Sequence, residues 1–440
     1  MAQSRHWVHT WAAMPMRAEA DKLPPRIFVS LFLGVQDRLE DKLINQRLKI
    51  RNKAVFHNTT IRQTVKITLG TENYFRLRLS NAFGSDDLNI DRITVALAHD
   101  NLSGGSKIET NTLRNVTFDD GSMTTKIPGG AQAVSDPIEF GLPLPTNTVL
   151  TISLFLENGQ DSQTGITSHP GSRTTSFCSL GNCVSETDLT DSSVQPIEHW
   201  FYISGIEVLA PRDSCAFAVI GDSITDGRCS TTDGNDRWPD LLFSRLQSDP
   251  VTASISILNQ AAGGNRILAD GIGPNVLSRL DRDILAHSGV EYVLIFEGVN
   301  DIGTAEANEQ SQSTIGDQII AGYRQIVTRV HARGIPIFAA TITPFGRRKG
   351  EIVVDAEAEG LTGYSHPIRD RTRQRVNDWI RLSGVFDAVI DFDRVLRDDN
   401  DSAVLKKEFD SGDRLHPNKQ AFHALAEAFP VDIFERFRAF

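Results

Sequence analysis

The chain has 440 residues, 40% of them hydrophobic and 23% charged, a composition ordinary for globular proteins and a length that suits two or three domains. A formal net charge of −11 and a pI near 5.5 argue against nucleic acid or an anionic membrane as the main partner, since both repel an acidic surface. No stretch reaches the ~18 or more apolar residues of a membrane-spanning helix. The first residues lack the apolar run of a signal peptide, so the chain as written reads as cytoplasmic, or as secreted if a leader has been removed.

The first half reads as β structure. Ile61, Val65 and Ile67 alternate with polar residues, as do Phe75, Leu77 and Leu79, then Ile93, Val95 and Leu97, then Leu150, Ile152, Leu154 and Leu156. Period-two alternation gives a strand one buried and one wet face, which suits antiparallel sheets. The break at 70–73 between the first two runs fits a hairpin turn. A β-sandwich over roughly residues 20–208 is expected, within an accessory domain of 1–210. Of the four cysteines, Cys178 and Cys183 flank a four-residue loop and either close a small disulfide or remain thiols, while Cys215 reads as a packed thiol. Their spacing is no zinc pattern, and no metal or cofactor motif is present anywhere in the chain.

Near Pro211 the pattern changes. Strands become short solid apolar runs at 215–220, 254–258, 292–297, 335–341 and 386–391, as expected when both faces of a sheet are covered. Helical periodicity lies between them: Trp238, Leu241, Leu242 and Leu246; Leu277, Leu280, Ile284 and Leu285; and Ile315 to Val330, stopped at Gly334. Pro417 suits the first turn of a closing helix through Ala421, Ala424, Leu425 and Ala428. Alternating strand and helix implies a parallel, three-layer α/β/α domain over 211–440, whose ligands bind beyond the carboxyl ends of the strands.

Polar residues concentrate at those strand ends. Gly221-Asp222-Ser223 follows the first strand, Gly263-Gly264-Asn265 the second, Asn300-Asp301 the third, and Asp413 and His416 come after the fifth. A serine hydroxyl near neutral pH needs a base, and the base needs an orienting group. Ser223 with His416 supplies the first two, and either Asp413 or Asp410 is placed to orient the imidazole. The Ser223 N–H, the Gly264 N–H and the Asn300 side chain could together face a developing oxyanion. Asp222, Asn265 and Asp301, beside these groups, are candidate substrate-binding residues. The Gly-x-Ser-x-Gly elbow of ordinary α/β-hydrolases is missing.

These segments, in this order, resemble the SGNH (GDSL) hydrolases. Gly221-Asp222-Ser223 looks like the first block of that family, Asn259 to Asn265 like the second, Gly298-Val299-Asn300-Asp301 like the third, and Asp413-x-x-His416 like the last. The resemblance implies a flavodoxin-like catalytic domain with Ser223 as nucleophile, His416 as base, Asp413 rather than Asp410 as its orienter, and Gly264 and Asn300 as oxyanion donors. Arg62-Gln63, the segment from Arg76 to Gly84 and that from His169 to Arg173 are similar to a β-sandwich region that precedes the hydrolase in one bacterial and fungal subgroup. The second block departs from the pattern with Ala261-Ala262, and Cys229 stands where Gly is usual.

The function expected is a cofactor-free serine esterase acting on small-molecule or polysaccharide esters, as a carbohydrate O-acetylesterase or a lipase. A non-catalytic glycan- or surface-binding protein and an acyltransferase using the same triad are the alternatives. The long connection 343–370, with Arg347, Arg348 and Lys349, is expected to form a lid or rim over Ser223. The oligomeric state has no signature in the sequence.

Overall fold

The computed structural model describes residues 4–18, 23, 54–72, 74–161, 165–348 and 364–438. They divide into two compact units, one comprising 1–14, 68–70 and 207–440, the other 15–67 and 71–206.

The first unit is built on five parallel strands: β1 (Cys215–Gly221), β2 (Ile255–Ala261), β3 (Val290–Phe296), β4 (Ile337–Ala340) and β5 (Ala388–Ile390). Their order across the sheet is β2-β1-β3-β4-β5, the flavodoxin-like arrangement, with every pairing parallel. β1 pairs with β2 on one side and β3 on the other, so the chain reverses its direction of winding at the end of β1. A crevice opens at such a switch point because the connections leave toward opposite faces.

The strands are apolar on both faces because both faces are covered. Phe217 and Val219 join Trp238, Leu242, Tyr292, Leu294, Phe338, Phe422 and Leu425 in one buried core. The intervening Ala218 and Ile220 are equally buried. Trp238 is fully buried and begins α2, below; truncating such a side chain to Ala typically costs about 3–5 kcal/mol.

The helices that matter to the site are α1 (Ser223–Asp226), α2 (Trp238–Leu246), α3 (Val299–Thr304), α4 (Glu309–His331), α5 (Pro367–Leu382) and α6 (Lys419–Ala428). α2 packs against α6, and α4 against α5. α6 starts at Lys419, two residues after Pro417, which therefore lies before the helix and not in its first turn. Asn418 is its cap, accepting a hydrogen bond from the Ala421 N–H, while Pro417 bridges back to Asp410. Lys349 and the rest of 349–363, much of the expected rim, lie outside the described residues.

The second unit is rich in antiparallel strands, as the alternation predicts. Val149–Leu156 pairs with Thr59–Lys66 on one side and Arg92–Ala98 on the other. The hairpin expected at 70–73 does not form. Thr59–Lys66 pairs with Val149–Leu156 and Ser176–Leu180, whereas Tyr74–Ser80 pairs with Gln132–Val134 and Ile138–Glu139. Neighbouring strands in sequence have been sorted into different sheets, as happens in sandwiches when a turn residue carries the chain across. Cys178 and Cys183 are free thiols, not the disulfide that was one of the two expectations. Cys178 is buried in its strand, with its thiol pushed up to about 12 by that burial. The Cys183 sulfur instead faces Leu180 O at 3.5 Å and the Ser179 hydroxyl at 3.7 Å.

Candidate active site

The turn after β1 is held open by local bonds. Asp222 caps α1 by accepting a hydrogen bond from the Ile224 N–H at 2.9 Å, and Gly227 ends the helix in the left-handed conformation at φ 88°. A helix this short cannot bury its own backbone, so its remaining groups are tied to neighbours. Asn259 on β2 donates to Thr225 O at 2.8 Å, and Asp226 accepts the Gly263 N–H at 3.1 Å. The Ser223 turn and the Gly263-Gly264 turn are thereby fastened to each other.

Ser223 is 8% exposed and His416 3% exposed. The Ser223 hydroxyl donates to His416 Nε2 at 2.8 Å, and His416 Nδ1–H donates to Asp413 Oδ2 at 2.6 Å. Asp413 Oδ1 accepts the N–H groups of Leu415 and His416 at 3.0 and 2.7 Å. Burial acts to raise the Asp413 carboxyl, but the His416 contact and these N–H groups outweigh it and hold the acid well below the usual carboxylate range. Asp410, the rival orienter, accepts from the Gly412 and Arg414 N–H groups at 2.8 and 3.0 Å. It shapes the turn and leaves the imidazole to Asp413.

Gly264 follows β2 at φ +70°, a conformation that disfavours any side chain. A Cβ there would lie 2.7 Å from Ile272 Cδ1, so Ile272 lies against this glycine. Asn300 is the second residue of α3 and is 5% exposed. Its Nδ2 donates to Asn265 O at 2.9 Å.

The three candidate substrate-binding residues lie among protein partners. Asp222, Asn265 and Asp301 are between 1% and 2% exposed and already engaged with the protein. Asp301 accepts the Ile267 and Leu268 N–H groups at 2.9 and 3.0 Å. Asn265 Oδ1 accepts from Arg279 Nε and Nη2 at 3.1 and 2.8 Å, and its Nδ2 donates to Pro274 O at 2.8 Å. These bonds tie the loops around the site to one another.

Burial makes weak acids of the carboxyls beneath the site. It lifts Asp222 to about 7, against the pull of the Ile224 N–H and with help from Asp301 and Asp226. It lifts Asp301 to about 6, against the two N–H groups it accepts. Glu297, just after β3, is raised well above the usual carboxylate range by burial and by Asp222, with Arg279 opposing. Sequence reasoning passed over Glu297, Arg279 and Tyr364. Glu297 directly precedes the Gly298–Asp301 segment, which was a usable signal, but nothing local marks Arg279 or Tyr364.

Among the described residues no group of three or more His, Cys, Asp or Glu side chains is arranged to hold a metal ion. No helix among them is long and apolar enough to cross a membrane.

Fold and site define a flavodoxin-like α/β protein with a serine, a histidine and an aspartate in hydrogen-bonded series at its switch point. Residues 217–429 match the family model described as GDSL-like Lipase/Acylhydrolase, so this part of the chain is a GDSL-type hydrolase domain, and the enzyme is a carboxylic-ester hydrolase. Solved structures similar to the chain include a GDSL-like lipase from Bacteroides thetaiotaomicron, at 13% identity and TM-score 0.35, covering 50% of this chain and 87% of that one. A carbohydrate acetylesterase from Sinorhizobium meliloti matches at 15% identity and TM-score 0.35, covering 49% and 96%. A catalytic mutant of an acetylxylan esterase from Geobacillus stearothermophilus matches at 18% identity and TM-score 0.36, covering 51% and 94%. Among curated proteins, nothing matches the chain.

Proposed function

We propose that the chain hydrolyses its ester through a covalent acyl-enzyme formed on Ser223. The observation that carries this reading is the continuous series Ser223 Oγ, His416 and Asp413, at 2.8 and 2.6 Å. Such a series lets one proton move from nucleophile to base while the acid keeps the base in the right tautomer.

In this mechanism Ser223 Oγ attacks the ester carbonyl carbon as its proton passes to His416 Nε2. The carbonyl oxygen becomes an oxyanion, met by the Ser223 N–H, the Gly264 N–H and Asn300 Nδ2. Asp413, ionised through the working pH range, stabilises the imidazolium. When the tetrahedral species collapses, the bond to the alcohol oxygen breaks, and His416 returns its proton to that oxygen. Water then enters, gives a proton to His416 Nε2 and attacks the acyl carbon. Ser223 leaves with that proton and the free acid departs.

The substrate we propose is an ester with a small acyl group on a carbohydrate or another alcohol. Ile272, which lies against Gly264 and is 48% exposed, sets an apolar side chain beside the proposed oxyanion position. The test pairs Ser223→Ala with an acyl series from acetyl to palmitoyl p-nitrophenyl esters and acetylated xylan. The variant is expected to lose turnover and to resist labelling by a fluorophosphonate. Wild-type-like turnover in Ser223→Ala would overturn the mechanism, and a preference for palmitoyl would overturn the substrate class.

A further inference from the structure

We infer that Tyr364 is a positioning residue for the oxyanion site, acting through the Asn300 amide. The inference rests on the proposed role of Asn300 and deepens it.

Asn300 has one amide atom 2.9 Å from Asn265 O and the other 3.0 Å from Tyr364 Oη. A backbone carbonyl can only accept, so the atom facing Asn265 must be the nitrogen. The atom facing Tyr364 is then Oδ1, and the tyrosine hydroxyl must donate to it. Asn265 O therefore decides which way round the amide sits, and Tyr364 fixes its plane from the opposite side. One N–H of Nδ2 is spent on Asn265. With the plane held at both ends, the direction of the second N–H is set, and that is the group a developing oxyanion needs.

The protein also makes room for this contact. Gly303 lies one turn after Asn300 in α3, and a Cβ there would fall 2.0 Å from Tyr364 Cε1. Glycine inside a helix is normally unfavourable relative to alanine, so its presence follows from the approach of the ring. Phe345 meets the Tyr364 ring edge-on, with ring centroids 6.4 Å apart. Gly303 and Phe345 thus seat the ring, and the seated ring delivers its hydroxyl to Oδ1. Burial raises the Tyr364 hydroxyl above its ordinary value, which keeps it a donor through the neutral range.

The role predicts a kinetic signature that packing alone does not produce. Tyr364→Phe keeps the ring and removes only the hydroxyl. It is expected to lower kcat for p-nitrophenyl acetate about 5- to 10-fold, the scale of one neutral hydrogen bond, with KM within about twofold. Asn300→Ala is expected to lower kcat by about 10²–10³-fold. In the double variant Tyr364→Phe should have almost no further effect, because the amide it orients is gone. Gly303→Ala, which retains the hydroxyl but displaces the ring, should reproduce the kcat loss of Tyr364→Phe. Unchanged kcat in Tyr364→Phe, or effects that multiply in the double variant, would overturn the positioning role and leave Asn300 standing. Wild-type kcat in Asn300→Ala would instead overturn the parent reading of the oxyanion site.

Discussion

Replacing Asp413 by Asn isolates what the acid of the series does. The asparagine can keep its Oδ1 on the Leu415 and His416 N–H groups, so the turn should persist. Its NH2, however, would face His416 Nδ1 at the 2.6 Å position that the carboxylate occupies now. Two donors cannot share that contact, so Nδ1 must become the acceptor and Nε2 must carry the proton. An Nε2–H cannot take the proton of Ser223. The imidazolium that forms during attack also loses its counter-charge. At 2.6 Å and an effective dielectric of about 20, two unit charges attract by about 6 kcal/mol, an upper bound for a pair partly open to water. The side chain of Asp413 is 26% exposed, so part of that is screened. A loss of about 10⁴ in kcat, or about 5.5 kcal/mol at the barrier, lies within that bound and agrees with the effect of a wrong tautomer in such triads. The measurement is steady-state hydrolysis of p-nitrophenyl acetate at pH 7.5, with circular dichroism and thermal melting to show that the variant is folded. A folded Asp413→Asn enzyme within tenfold of wild-type kcat would refute the reasoning. Asp410→Asn should then be the damaging change.

Two further outcomes follow from the surroundings of the series. The folded state holds the Asp222 proton up to about 7, far above the ordinary carboxyl value of 3.8. A raised carboxyl stabilises the fold below its unfolded value and loses that contribution as pH rises through the folded one. Asp222→Asn keeps the cap on Ile224 and cannot ionise, so its stability relative to wild type should improve between pH 4 and pH 8, by at most on the order of 4 kcal/mol. Urea unfolding at pH 5 and pH 8 measures this, and a gap that stays constant with pH would contradict the assigned burial. Gly264→Ala should cost about 1–2 kcal/mol from φ +70° alone, and should lower kcat by shifting the N–H of residue 264. Adding Ile272→Ala should recover part of the stability by removing the 2.7 Å contact; no recovery would mean that Ile272 is not what limits the site.

The sequence carried the architecture of the first unit well, because its signals are local. Solid apolar runs placed all five parallel strands to within a few residues, and periodicity placed the long helix ending near His331. In the second unit the same alternation found individual strands, but pairing is a long-range property. The Thr59–Lys66 and Tyr74–Ser80 strands look like a hairpin along the chain and yet belong to different sheets. The cysteines are a similar case, since a short spacing permits a bridge and only side-chain direction decides whether one forms.

At the site, sequence alone singled out the segments that the fold brings together at the carboxyl ends of the strands. Ser223 and Asn300 stand in the first turns of short helices just after strands, Gly264 follows a strand and His416 precedes a helix, and such positions declare themselves by residue type and spacing. Tertiary structure decided what the neighbours do. Asp413 and Asp410 are equivalent in a reading of residue types, and differ because one reaches an imidazole and the other reaches backbone N–H groups. Asp222, Asn265 and Asp301 look available in the sequence and are buried in the fold, because loops that must hold a site rigid spend their polar side chains on each other. Tyr364 is 64 residues from Asn300 along the chain and bonded to it in space. No local rule reports such a contact, since it exists only once α3 and the segment leading into α5 are packed together.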